Sequence, residues 1–318
     1  MNNNSSSMAQ AAILLPNTID ASSIKNGTTI PEVDSSAGEV AWSSTDSYTG
    51  TENNINYAGR LWSSIAPSTN VVPGTDTAKW RKSGPSNRMA PFDDEINSRA
   101  LAQGSLTYVL QTGFFDGLAL YGLQGEWISI TLKNQPGGDV LYSWEGDLYE
   151  QAYGLYEYLF FPLRMLTKRV AHNLALAPDA ELTITITAKN NAQVGLGMVV
   201  CGFWTSLLGT VPGAFGGVEY GASAQIKTYS YIKTEDDGRT TVVPRNSATN
   251  LSCSVVIPAD QANYAAEILA QIAARPVAVV LSAWPRYDYL NTFGLVSGSV
   301  EASGYPIAKV TLNVKGYI

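Results

Sequence analysis

The chain is poor in the residues on which most side-chain chemistry depends. One histidine, His172, and two cysteines, Cys201 and Cys253, are spread over 318 residues. A lone imidazole with no cysteine near it excludes a histidine-rich metal cluster. Its neighbours are Lys168, Arg169 and Asn173, with no acid within several positions, and no serine sits in a nucleophile elbow. Charge is scarce too: 15% of residues are Asp, Glu, Lys or Arg, against roughly 25% in an ordinary globular chain. The net charge of -7 is spread along the sequence. Without a basic stripe there is no track for a phosphate backbone, and nucleic acid is not an expected partner. Long apolar runs are missing as well. The longest candidate, residues 194–211, is broken by Gly195, Gly197, Gly202 and Gly209, so membrane insertion is not expected. The opening MNNNSSSMAQAAILLP lacks the basic segment of a secretory signal.

What is present is sheet-forming. Hydrophobic residues make up 45% of the chain, enough for one large core and a satellite. Residues 181–189 (ELTITITAK) place Leu182, Ile184 and Ile186 on one face and Thr183, Thr185 and Thr187 on the other. Residues 127–133 (WISITLK) alternate equally well, with either Trp127 or the Ile and Leu set toward the core. A turn at 134–138 leads to a strand at 140–144, which completes an antiparallel hairpin. Residues 114–123 read as a buried strand, and 100–110, 194–210, 224–233, 241–243, 252–257, 277–282 and 309–314 supply further strands. One helix is expected at 261–273, with Tyr264, Ile268, Leu269 and Ile272 on one side, Asp260 as its cap and Arg275-Pro276 as its stop. The expected fold is mainly β: an antiparallel, jelly-roll-like β-sandwich over residues 93–318 with one covering helix.

The sandwich is preceded by a different kind of sequence. Residues 1–37 are rich in Asn, Ser and Thr and read as an extended arm. Its apolar stretches at 11–16 and 24–33 would dock on a neighbouring subunit. Residues 38–92 form a small aromatic-rich β module carrying Trp42, Tyr48, Tyr57, Trp62 and Trp80. Residues 80–93 (WRKSGPSNRMAPFD) read as a packed hinge, with turn signals followed by an apolar patch, holding module and sandwich in fixed register.

Two aromatic groups are candidate binding surfaces. The order of elements in the module, with a strand at 56–62 and a closing strand at 77–80, resembles small chitin-binding-type carbohydrate modules. That resemblance implies glycan stacking on Trp42, Tyr57, Trp62 and Trp80, although Asn53-Asn54-Ile55 stands where such modules carry Gly and Asp. The competing role for the same rings is core. The second group, residues 149–168, is read as a loop or short helix leading into a strand. Tyr153, Tyr156 and Tyr158 there form an alternative platform, or else cap one end of the sandwich.

Catalysis has little to stand on. Asp116, Glu126, Glu145, Asp147 and Glu157 would make a glycosidase pair only if two of them met across a sheet. The pair Gly195 and Gly197 opens no helix, and the acids at 235–237 lack the spacing of a calcium loop. No catalytic residue, cofactor or metal is expected. Cys201 and Cys253 are either two buried thiols or a cross-strand disulfide in a chain long enough not to need one.

Several stretches carry a wider likeness: 80–93 with its Gly-Pro-Ser-Asn-Arg and Phe-Asp, 153–161, Tyr220-Gly221 with 233–238 and Arg245, and Arg275-Pro276. On these the chain resembles a family of bacteriophage tail-associated structural proteins, often described only as hypothetical or as carrying a carbohydrate-binding domain. The resemblance implies a non-enzymatic structural or adaptor subunit of a tail, tail tip or baseplate. It would pack against other virion proteins and against itself, in the virion and, during assembly, in the host cytoplasm. The alternative it leaves is a carbohydrate-binding module for host-surface glycans. Low charge and 17 tyrosines fit a subunit that buries surface on several sides, as in a ring or collar.

Overall fold

A computed structural model describes residues 11–93, 98–149, 154–160, 165–207, 216–234, 239–243, 247–282 and 285–317. Among them the fold is mainly β, organised around a ten-stranded antiparallel sheet that curls into half a barrel. Its order begins Lys168–Ala171, Gly117–Tyr121, Met198–Ser206, Ala12–Pro16, Pro276–Val280 and Asn291–Ala302. It continues with Ile307–Gly316 and Ser247–Pro258, on which Gly217–Val218 and Ser223–Thr228 both pair. The curl is visible in contacts that skip strands. Lys168 at one edge makes a 3.0 Å ion pair with Asp288 and donates to the Asn291 carbonyl, although four strands lie between in the order. Tyr121 and Phe293 meet at 6.0 Å inside the curl. Central strands such as Gly117–Tyr121 are buried on both faces, which is why they read as continuous apolar runs.

A second sheet, Val140–Asp147, Trp127–Lys133, Glu181–Thr187 and Ser105–Leu110, lays its apolar face on the first. Ile128, Ile130, Leu132, Leu182, Ile184 and Ile186 share one core cluster with Leu118, Leu120 and Cys201 of the large sheet. Each such side chain contributes roughly 1.5–3 kcal/mol by leaving water. Trp127 is on the outer face, so the Ile and Leu set is the buried one. A cation–π contact also ties the sheets, with the Arg169 guanidinium 3.8 Å from the Trp144 ring centre.

The structure corrects the expected arm. Ala12–Pro16 is an inner strand of the large sheet, paired with Met198–Ser206 on one side and Pro276–Val280 on the other, and Ala11, Ile13 and Leu14 are fully buried. The run Ala-Ile-Leu-Leu suits a position buried on both faces, and its own chain supplies the partners. Farther along, residues 23–29 seal the edge of Ser105–Leu110. The Lys25 and Thr29 amides donate to the Val109 and Thr107 carbonyls, and the Thr28 and Thr29 hydroxyls accept from the amides of the same two residues. Ile24 and Ile30 enter the core. Residues 1–10 lie outside the described residues.

The helix is also shifted in detail. A 3-10 turn, Ala259–Gln261, leads into α2, Ala262–Ile272, and Asp260 sits inside that turn and caps nothing. Ala265, Ile268 and Ile272 face the sheet and Pro276 opens a strand. A shorter helix, α1, spans Leu155–Phe160. Both cysteines are buried thiols in separate clusters, with no disulfide between them. Burial pushes the Cys201 thiol up to about 12 and Cys253 up to about 11. No helix among the described residues is long and apolar enough to cross a membrane.

Toward the N-terminus, Val40–Ala41, Ile55–Tyr57, Arg60–Ser64 and Trp80–Pro85 form a four-stranded sheet. Its two-residue hairpin, Ala58-Gly59, has positive φ at both positions (53° and 74°), as a type I′ turn requires.

Candidate functional site

The hinge motif folds into a buried polar junction. Ser86, Asp34, Glu39 and Asn56 are all buried, and they gather around Asn87. The Glu39 carboxylate accepts from three directions: the Asn87 amide at 2.6 Å, the Asp34 amide at 3.0 Å and the Asn56 side chain at 2.6 Å. The Asn87 side chain donates to Asp34 Oδ2 at 2.6 Å and pairs with Leu101 as another strand would, giving one bond to its carbonyl and taking one from its amide. Arg88 donates to the Ile30 carbonyl, while Tyr108 from the second sheet donates to the Arg88 carbonyl at 2.9 Å. Two regions distant in sequence, residues 30–39 and the Leu101 to Tyr108 strands, are thus fastened to one Asn-Arg pair, and Asn56 joins them through Glu39. Burial pushes the Asp34 carboxyl up, but hydrogen bonds from Ser36, Asn87 and Ala37 outweigh it and hold the group below the usual carboxylate range. Burial raises the Tyr108 phenol, which stays a donor.

On the opposite face of the N-terminal sheet lie the aromatics. Trp80 is 2% exposed, with Tyr48 edge-on at 4.9 Å and its indole N–H donating to the Val71 carbonyl. Its faces are used up by packing, so it offers none to a sugar, a correction to the expected stacking set. Trp42 and Tyr57 meet edge to face at 5.3 Å, and Trp62 lies over Gly74 against the cluster of Tyr48, Ile55 and Trp80. These three are half-buried, and the indole nitrogens of Trp42 and Trp62 have no hydrogen-bond partner among the described residues.

No family model, curated protein or solved structure matches the chain. What the chain offers instead is the chemistry of its exposed surfaces.

Among these surfaces the aromatic loop before Lys168–Ala171 stands out. It is pinned at its base, where Tyr149 bridges to Met165 and the Leu166 amide donates to the Leu148 carbonyl at 2.8 Å. At its far end α1 presents Leu155, Tyr156, Leu159 and Phe160, between 60% and 75% exposed. Tyr156 and Phe160, one turn apart, pack at 4.9 Å. Instead of capping the core, this group faces outward. Tyr153 lies outside the described residues, as does the Tyr158 side chain. The alternation of residues 156–160 suits an extended strand, yet the structure makes them helical, and their exposure depends on what the rest of the chain leaves uncovered.

Asp116 accepts from the Trp204 amide at 2.8 Å. Glu145 and Asp147 line the exposed edge strand, and the Glu157 side chain and residues 235–238 are outside the described set. His172 lies against Trp204 at 4.5 Å, and burial, reinforced by the nearby Arg169 charge, lowers it to about 4. No three of the described His, Cys, Asp and Glu side chains are grouped to hold a metal ion.

Proposed function

We propose that the chain is a non-enzymatic structural and adaptor subunit of a bacteriophage tail, tail tip or baseplate, fastened to other virion proteins. The observation that carries the assembly role is the α1 loop: four large apolar side chains held in water on a pinned base. Apolar groups clustered in this way mark a surface awaiting a partner. The rigid junction at Asn87 supports the same role, because a building block must hold its parts in register. The tail setting rests on the sequence resemblance. In this reading the two facing sheets are a jelly-roll-like sandwich, and the N-terminal sheet is a small module on its side. Immunolabelling of purified tails with an antibody to this chain is the test. Decoration at a fixed position is expected; particles that lack the protein would end the proposal.

A second reading, glycan recognition, is favoured by one observation. Trp42, Tyr57 and Trp62 are only partly buried, so part of their ring surface remains open for a sugar ring to stack on. Titration of the protein with host polysaccharide should then change tryptophan emission, and Trp62→Phe should abolish the change. An unchanged spectrum refutes it.

A further inference from the structure

We propose that copies of this chain join head to tail, α1 of one copy seating in an apolar groove beside α2 of the next. The inference takes from the assembly reading only that the α1 loop is a contact surface, and it names the partner as the chain itself.

The groove runs between α2 and the hairpin of Asn291–Ala302 with Ile307–Gly316, and its volume is about 330 Å³. Its walls are short side chains: Ala259, Ala262 and Ala266 from the helical side, Val300, Ile307 and Ala308 from the hairpin. None of the lining residues is charged and Asn263 is the one polar side chain among them. Alanines on the outward side of α2 leave the groove open, where larger side chains would have filled it.

The knob matches in chemistry. Leu155, Tyr156, Leu159 and Phe160 occupy one broad side of α1, because positions one and four or five apart share a helix face. The ring contact between Tyr156 and Phe160 makes two of them a single block. Within the chain, α1 contributes nothing to the lining of this groove. The base of its loop leads to Lys168, which is held at the Asn291 end of Asn291–Ala302, whereas the groove flanks Val300 near the other end. In this fold knob and groove therefore meet only between copies. The contact is heterologous, so repetition gives a ring or a filament and not a closed two-fold dimer.

Area sets the strength. Four side chains exposed by two thirds offer on the order of 450 Å² on one partner and about twice that counting both. A stable complex buries roughly 1,200 Å² or more. One contact alone is weak, and closure, in which every subunit makes two, is what secures the assembly.

Sedimentation velocity of the full chain from micromolar to millimolar concentration tests this. The wild type should show concentration-dependent oligomers. A knob variant, Leu159→Asp with Phe160→Asp, and a groove variant, Ala266→Trp, should each stay monomeric. Mixed together at the millimolar end of the range, where one weak contact still forms, they should give a dimer and nothing larger, since each retains one working half. A monomeric wild type, self-association of either variant, or a mixture that fails to pair would overturn the inference. Circular dichroism reports folding, and if Ala266→Trp misfolds, Ala302→Glu on the opposite wall replaces it. A monomeric wild type whose antibody still decorates tails would sink self-docking and leave the tail role standing.

Discussion

Replacing Glu39 by glutamine isolates the contribution of the hinge junction, because the two side chains have nearly the same shape. Glu39 accepts three hydrogen bonds on two oxygens. Glutamine has one oxygen, so its best rotamer keeps the bonds from Asp34 and Asn56 and turns an NH₂ toward the Asn87 amide 2.6 Å from the former oxygen. Losing a charge-assisted bond and orphaning that amide costs about 2–4 kcal/mol. The two surviving bonds also weaken as their acceptor becomes neutral, by about 1 kcal/mol together. The variant is spared the desolvation of a buried carboxylate, about 1–2 kcal/mol, which brings the net loss to about 2–3 kcal/mol. With a urea slope of about 2–3 kcal/mol/M the midpoint should fall by about 1 M. Glu267→Gln on the solvent side of α2 is the control, expected within about 0.5 kcal/mol of wild type. Limited proteolysis should find residues 30–39 newly cleavable in the Glu39 variant. A midpoint shift no larger than the control's would show that the junction contributes little and refute the reasoning.

Three further outcomes are expected. His172 is lowered to about 4 in the fold from 6.5, so the unfolded chain takes up its proton first. Stability should fall as pH drops from about 6.5 to about 4, and His172→Gln should flatten that part of a urea midpoint series. In Gly202→Ala the new methyl would lie 1.9 Å from the Leu15 carbonyl oxygen; a loss of about 3 kcal/mol or more is expected, read as a lower melting temperature, and an unchanged one contradicts the packing. Deleting residues 1–16 removes the strand shared by Met198–Ser206 and Pro276–Val280. Insoluble expression is expected, and a folded truncation with wild-type circular dichroism would be incompatible with an inner strand.

Local pattern made the second sheet legible. WISITLK and ELTITIT alternate with period two and both are strands; ELTITIT turns its Leu and Ile face inward as expected, and for WISITLK, whose pattern left Trp127 or the Ile and Leu set for the core, the structure buries the Ile and Leu set. Asn291–Ala302, by contrast, is interrupted by Gly294 and Gly298 at close backbone approaches and did not declare itself. The Ala12–Pro16 strand was misread for a related reason: five apolar residues in polar surroundings carry no sign of partners so far along the chain. At the junction the turn residues of Ser86-Asn87 were visible, but Glu39, Asp34 and Asn56 were not, since nothing local links them to Asn87. Of the stacking set, Trp80 looked the same as Trp42 and Trp62. Only packing distinguishes a ring with both faces used from one half in water.

The position of Ala12–Pro16 also has a consequence for biosynthesis. Ile13 pairs with Thr205 and Val279, roughly 190 and 265 residues further along the chain. At about 5–20 residues per second, a ribosome needs on the order of 10–50 s to deliver the second of these partners. For most of that interval, until Met198–Ser206 is made, a run of Ala, Ile and Leu has emerged with nothing to pair against, a natural ligand for a holdase. The large sheet therefore cannot close across its middle until late in translation, and its earliest-made strand is among the last to find its place.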